Sequence, residues 1–321
     1  MCCHRAASRS VLALALASTL LPTALAAPAC ERDGMPVLER VGMHTWRVAA
    51  ARGEPADANG GLTAQLVVVR DGARVWLIGS GPTPAFGAAL ACAIRQRVGQ
   101  SVTDVVNTRA APELAMGNDA FAGARLWALP EVIAAMRARC AACLQRLKAR
   151  LGVAGDSLQP ARIRVPFAPV GRTGAARGTL GPFAWRALPR ADDETVLVLR
   201  HRRDRLVVAQ GLLWADDVPD LRDTRSDTML ASLHALHAFA TGARVLGEQG
   251  DVVPREALAR HVAYIDALRR TVLERLARGE VQGASGASME LPDYAAQPGY
   301  AAVHPLNVQR VWRELEAALF R

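Results

Sequence analysis

The side chains of this sequence best suited to chemistry begin with Arg109 and Glu113, four residues apart within "VVNTRAAPELAMGNDAF", Val105 to Phe121. A guanidinium is permanently charged, carries several N–H donors and has no lone pair to give. Arg109 therefore either pairs with Glu113 as a structural ion pair or, left free, holds a carboxylate or phosphate through two parallel hydrogen bonds. Cys140-Ala-Ala-Cys143 has the spacing of a redox dithiol. Redox motifs of this kind open a helix, where the dipole acidifies a thiol. Here the motif falls in mid-helix, well past Pro130, so a structural disulfide or two packed thiols are expected. His234 and His237 are spaced to share a metal on one helix face, but no third ligand stands at a matching interval. His44, His201, His261 and His304 are scattered and read as hydrogen-bonding residues. The carboxylates of Asp192-Asp193-Glu194 and Asp216-Asp217 could bind calcium or act as acid and base, although loop acids are ordinarily solvated. The chain has no Gly-x-Ser-x-Gly elbow, phosphate loop or dinucleotide fingerprint.

The elements that must position these residues are legible from periodicity and punctuation. "MPVLERVGMHTWRVAAARG" predicts an opening strand near His44 to Val48. "LTAQLVVVRDGARVWLIGSG" predicts a hairpin, two apolar runs about Asp71-Gly72. "PAFGAALACAIRQRVGQ" predicts a helix, "VTDVVNT" a short buried strand, and "NDAFAGARLWALP" a short helix and another strand. "PEVIAAMRARCAACLQRLKARLG" predicts a long helix from Pro130 to Gly152. Short strands follow in "ARIRVPFAPV", "GTLGPFAWRALP" and "TVLVLRHRRDRLVVAQGLLW". After them come a helix closed by Gly242, a strand in "ARVLGEQGDVV", a long helix starting at Pro254, an irregular segment over 280–303 and a C-terminal helix over 306–320. Short apolar strands covered on both faces and alternating with helices indicate a layered α/β fold.

The chain has 321 residues, of which 51% are apolar, and a formal charge of +9. Lys148 is the one lysine; the other basic side chains are arginine. No dense basic run interleaves with aromatics, so no nucleic-acid partner is expected. Residues 1–26 read as a secretory signal peptide: Arg5 and Arg9, an apolar run from Val11, and Ala24-Leu25-Ala26 before Ala27. Cys30 lies too late for a lipoprotein attachment site. No later segment is long and apolar enough to span a bilayer. Residues 27–321 are expected to form a single domain that is periplasmic or secreted.

The order of hairpin, helix, strand and loop, followed by strand pairs ending in a Gly-x-x-Gly loop, resembles the metallo-β-lactamase superfamily. That resemblance implies an αββα four-layer sandwich, two mixed sheets packed face to face with helices outside, and a dinuclear zinc site. Its landmarks persist without their ligands. "LIGSG" has Gly79 where the family has Asp. "TRAAPELAMGN" keeps Thr108, Gly117 and Asn118 but sets Arg109, Ala111, Glu113 and Leu114 at ligand positions. "ADDETVLVL" sets Ala191 near a histidine position. "VVAQGLLWADDVPDL" keeps Gly211 and sets Leu212 at the bridging aspartate. "LGEQGDVV" keeps Gly247 and Gly250 and sets Gln249 at a histidine.

Zinc takes nitrogen, thiolate or carboxylate ligands, and among these positions only Glu113 and Gln249 offer an oxygen. Zinc is thus the family's cofactor, and none is expected here. Without the metal there is no hydroxide nucleophile at neutral pH. "MRARCAACLQRLKARLG", "WADDVPDLRDTRSD" and "HPLNVQRVWRELE" further resemble periplasmic zinc metallohydrolase-like proteins of quinoprotein (PQQ) relay systems. The resemblance implies a non-catalytic binding or accessory role beside a periplasmic quinoprotein dehydrogenase or its electron-transfer partner. Arg109, Glu113 and Gln249 are the candidate ligand-binding residues. The alternatives are a hydrolase with atypical metal ligands, using Glu113, Gln249 and the acids near Asp192, or thiol–disulfide chemistry through Cys140 and Cys143.

Overall fold

The computed structural model describes residue 30 and residues 34–159, 163–280 and 289–319; the signal-peptide segment lies outside them. The chain divides into Met1–Cys30 and Glu31–Arg321, and the fold described here is that of the second unit.

Strand alternation builds the layers. In β3 (Leu66–Asp71) every apolar residue is buried, but successive side chains enter different cores. Val67 and Val69 pack with β4 (Arg74–Ile78) residues Trp76 and Ile78, whereas Leu66 and Val68 pack with Val75 and Leu77. A period of two places consecutive residues on opposite faces, so such a strand must be covered on both. Asp71 and Gly72 turn the hairpin, with Gly72 at φ +61°.

The first sheet has seven strands in sequential order: β1 (Glu39–Arg40), β2 (Thr45–Val48), β3, β4, β5 (Asp104–Val106), β6 (Arg125–Ala128) and β7 (Ala168–Pro169). It is antiparallel through β4 and parallel from β4 to β7. The second sheet has six strands, ordered β13 (Val253–Pro254), β12 (Arg244–Leu246), β11 (Leu206–Val208), β10 (Glu194–His201), β9 (Phe183–Ala191) and β8 (Arg177–Leu180). It is antiparallel except for the β11–β12 pair.

The sheets meet through Val67, Val69, Trp76, Ile78 and Val106 on one side and Phe183, Trp185, Leu197, Leu199 and Val208 on the other. Helix α1 (Pro84–Val98) covers the outer face of the first sheet with Leu90, Ile94 and Val98. Thr83 caps its N-terminus, its hydroxyl accepting from Phe86 N, and Gly99 closes it in the left-handed region. Helices α4 (Ser226–Phe239), α5 (Leu258–Ala277) and α6 (Tyr300–Leu319) cover the second sheet with Met229, Leu233, Ile265, Leu268, Val311 and Trp312. These are the four layers expected: helix, sheet, sheet, helix. The short α2 (Pro112–Ala115) and the long α3 (Pro130–Leu151) complete the set of described α-helices.

Three expectations are refined. Pro254 ends edge strand β13 and caps a 3-10 turn, Arg255–Ala257, that runs directly into α5 at Leu258. An edge strand tolerates a residue that donates no ladder hydrogen bond. The last helix begins at Tyr300 rather than 306, with Pro305 inside it. Tyr300 and His304 anchor that first turn: their rings stack, and His304 lies 2.9 Å from the Tyr264 hydroxyl and 2.6 Å from the Met289 carbonyl. Finally, of the two arrangements expected for Cys140 and Cys143, the disulfide is not the one formed: both are free thiols, whereas Cys30 and Cys92 are each disulfide-bonded. Helical positions three apart hold their Cβ atoms about 5–6 Å apart, beyond the roughly 3.5–4.5 Å that a disulfide needs.

Candidate functional site

The segments that follow β4, β5, β11 and β12 converge at one edge of the sandwich. Buried polar side chains tie the two sheets together there. Thr108 Oγ1 donates to Gln210 Oε1 at 2.5 Å, Gln210 Nε2 donates to the Gln65 carbonyl at 2.6 Å, and the Thr108 carbonyl accepts from Leu197 N at 2.8 Å. The loop after β5 is clamped from within. Asn107 and Asn118 exchange side-chain hydrogen bonds, Ser80 Oγ donates to Asn118 Oδ1, and Asn118 Nδ2 also reaches the Arg164 carbonyl. A Cβ at Gly117 would stand 2.1 Å from the Ser80 carbonyl oxygen, so only glycine fits.

On this frame sits a buried charge network centred on Arg109. Its Nη2 donates to Glu113 Oε1 at 2.7 Å and to Glu248 Oε1 at 2.5 Å, and its Nη1 lies 3.9 Å from Glu194 Oε1. Glu248 Oε2 accepts from Gly211 N at 2.7 Å. Arg190 donates to Glu194 Oε2 at 2.6 Å and to the Gly211 carbonyl at 3.1 Å. The side chains are 13% (Arg109), 5% (Glu248), 7% (Arg190), 15% (Glu113) and 19% (Glu194) exposed, so the charges face one another rather than water. Burial opposes the Arg109 charge, but Glu248, Glu113 and Glu194 outweigh it and hold the guanidinium firmly protonated. Burial pushes the Glu248 carboxyl up, against the pull of Arg109 and with the push of Glu113.

The expected site positions fare differently. Arg109 and Glu113 are joined as an ion pair. Ala111 and Leu114 are buried in the core beneath the outer face of the first sheet, and Leu212 lies in the core under α4 to α6. Gly79 has φ +76°, and a Cβ there would meet the methyls of Leu66 and Leu114 at 2.8 Å. The family's aspartate thus has no room. Gly79→Asp is expected to cost about 1–3 kcal/mol through overpacking without creating a zinc site; thermal melts with and without zinc check this.

Gln249 lines the same cavity as Arg109 and Glu113 but stays out of the charge network. Its amide donates to the Thr63 carbonyl at 2.8 Å, and its backbone pairs with Trp214. The preceding residue, Glu248, turns inward instead. Ala191 is likewise displaced by its neighbour: Arg190, buried at 6%, is the β9 residue that reaches the network. Arg190 and Glu248 are the site residues that the sequence left unassigned. The cue available for Glu248 was its place between Gly247 and Gly250, but adjacent extended residues face opposite ways and the sequence does not set the phase.

The other candidates stand outside the charge network, although Asp193 lines the same cavity. His234 is exposed. Asp216 sits 3.6 Å from Arg52, Asp217 accepts from Val218 N and Gly299 N, Asp192 lies 3.7 Å from Arg225, and Asp193 pairs with Arg139. His261 is buried and accepts from Trp214 N through Nε2 at 3.0 Å, holding the segment that carries Trp214 against α5.

The network floors a cavity of about 600 Å³. Arg139, Arg146 and Arg150 from α3, with Arg222 and Glu54, line its upper wall. Arg139 pairs with Asp193, Arg150 with Glu54, and Arg222 with Asp220 and Glu54. Among the described residues Arg146 has no carboxylate partner; it donates to Cys143 Sγ at 3.2 Å. The residues at the network do not fit a dinuclear zinc centre. Both oxygens of Glu248, Glu113 Oε1 and Glu194 Oε2 are engaged by guanidinium and amide donors, and a divalent cation would stand against the fixed charge of Arg109. Among the described residues no three His, Cys, Asp or Glu side chains are grouped to hold a metal ion.

No protein-family model matches the sequence, and no curated protein does. Solved structures match well. The metallo-β-lactamase FIM-1 from Pseudomonas aeruginosa, in its mono-zinc form, superposes with TM-score 0.59 at 11% identity over 74% of this chain and 98% of its own. The metallo-β-lactamase from Erythrobacter litoralis, with β-mercaptoethanol in its active site, gives TM-score 0.59 at 14% identity over 74% and 98%. That from Hirschia baltica gives 0.56 at 11% over 72% and 97%. With its paired mixed sheets between helical layers, the chain has the metallo-β-lactamase fold.

Proposed function

We propose that this protein is a non-catalytic binding or accessory protein on a metallo-β-lactamase fold, exported and working beside a periplasmic quinoprotein dehydrogenase system. One observation carries the non-catalytic reading. Where the fold's hydrolases place cations, this chain has the guanidinium of Arg109 bonded to Glu113 and Glu248. A fixed organic cation satisfies the carboxylates but binds no water to be ionised. Export and the quinoprotein setting rest on the N-terminal sequence and on the likeness of the α3, Trp214–Asp227 and C-terminal segments. Binding is supported by the cavity and by Arg146, a cation at its wall with no carboxylate partner among the described residues, suited to an anionic ligand.

Zinc titration followed by metal analysis, with β-lactam and ester turnover assayed in parallel, tests the reading. The expected result is sub-stoichiometric zinc after dialysis and no turnover above the buffer rate. Stoichiometric zinc lost on Glu113→Gln or Glu248→Gln, or turnover abolished by a chelator, overturns it.

A further inference from the structure

Beneath the main cavity lies a second, far smaller one of about 10 Å³, between α3 and the segment from Ala110 to Met116. That volume suits a single small particle, since about one probe sphere fills it. Four sulfur-bearing side chains line it: Met116, Met136, Cys140 and Cys143. Met136, Cys140 and Cys143 share one face of α3, at helical spacings of four and three residues. Met116 faces them from the loop, itself 3% exposed. The rest of the lining is alanine and proline, apart from Arg139, which pairs with Asp193. No imidazole or carboxylate reaches this cavity.

We propose that this sulfur-lined cavity is a binding site for one soft monovalent cation, Cu(I), ligated by the thiolates of Cys140 and Cys143 with the thioethers of Met136 and Met116 completing the shell. Thiolate and thioether ligands select Cu(I) over harder ions. Zinc draws on imidazole, thiolate and carboxylate and finds only two such groups here. The helical spacing that holds the thiols too far apart for a disulfide suits an ion between them, because each sulfur then needs to reach only the metal. Access runs through Cys143, which lines both cavities. Two thiolates and one monovalent ion leave a net negative charge, and Arg146 Nη2 at 3.2 Å from Cys143 Sγ stands ready to offset it. Ligation by thiolate displaces the thiol protons, so affinity rises with pH.

The test is competition for Cu(I) against bathocuproine disulfonate, under anaerobic reducing conditions, with the full chain. One Cu(I) per chain is expected. Cys140→Ser and Cys143→Ser should each lower affinity by about 100-fold or more, as loss of half the thiolate charge implies. Met136→Leu, which conserves volume, should lower it by roughly 10-fold. A redox-inert probe supplies an independent reading of folded protein: Ag(I) should raise the thermal midpoint of the parent chain and not that of Cys143→Ser. The proposal fails if the chelator strips all Cu(I) from the parent chain, or if the double Cys140→Ser/Cys143→Ser chain binds as well. It also fails if Met136→Leu leaves the affinity unchanged, since the two thiols alone would then account for binding and the cavity would play no part.

Discussion

Arg109→Met is expected to lower stability by about 3–5 kcal/mol, the usual consequence of removing one partner from a buried ion pair. Methionine fills much the same volume, so packing changes little. What changes is that Glu248, 5% exposed, and Glu113, 15% exposed, lose the cation that both of them contact. The loss should depend on pH. Without Arg109 the Glu248 carboxyl rises further above its ordinary value, and a group whose folded pKa is raised stabilises below its unfolded value and loses that contribution as pH climbs. The penalty should thus be smaller at about pH 5 than at about pH 8.

A second substitution identifies the cause. Gln at position 248 carries no charge but keeps an oxygen to accept from Gly211 N, the hydrogen bond now made at 2.7 Å. Arg109→Met/Glu248→Gln should therefore recover at least about 1 kcal/mol relative to Arg109→Met, and a double-mutant cycle by urea denaturation measures the coupling. A cost below about 1 kcal/mol for Arg109→Met, in the range of an exposed pair, would mean that the guanidinium is not the buried counter-charge described here.

Acid should destabilise the protein through His261. The ring is buried, with its Nε2 accepting from Trp214 N at 3.0 Å, and a protonated imidazole could not accept that bond. Burial, aided by the nearby charge of Arg260, lowers its pKa from 6.5 to about 3. The unfolded chain therefore takes up a proton near 6.5 that the folded chain refuses until about 3. A depressed folded pKa gives stability that is complete above 6.5 and lost as pH falls through that window, at roughly 1.4 kcal/mol per unit and on the order of 5 kcal/mol in all.

Glu248 acts in the opposite sense. Its raised pKa makes stability fall as pH rises from 4.5, so the two groups partly cancel just above that value. His261→Gln, whose amide oxygen can still accept from Trp214 N, should remove one proton's worth of slope between about pH 6 and pH 5. Chemical denaturation at a series of pH values reads this directly. A slope identical in the parent and in His261→Gln would show that the ring is not held neutral.

The layers were legible before any coordinates because their causes are local. Leu66 to Val69 and Val196 to Leu199 are uninterrupted apolar runs, and a strand with no polar face must lie between two others. Asp71-Gly72 supplies a turn, Thr83 and Gly99 cap a helix, and Pro130 opens another. That Gly79, Ala111, Leu114, Ala191 and Leu212 offer no donor atom was equally legible, since alanine, leucine and glycine have no side-chain lone pair in any fold. Local signals misled where several starts were compatible with one pattern. Pro254 can open a helix or end an edge strand, and Pro305 hid the first turn of α6.

The network itself was only half readable. Arg109 and Glu113 lie one helical turn apart in sequence, so their pairing needed no long-range information. Glu248 is 139 residues from Arg109, and Arg190 meets Gly211 across 21. The sequence determined that a guanidinium and a carboxylate, Arg109 and Glu113, would stand within reach of each other. Only the tertiary structure decided that Glu248 rather than Gln249, and Arg190 rather than Ala191, would join them. The physical reason is that neighbouring residues in extended backbone face opposite sides, and which one faces inward follows from the Gln249–Trp214 bridge within the second sheet and from the Gln65 N–Glu248 carbonyl and Gln249–Thr63 carbonyl hydrogen bonds, which form only when the two sheets close on each other.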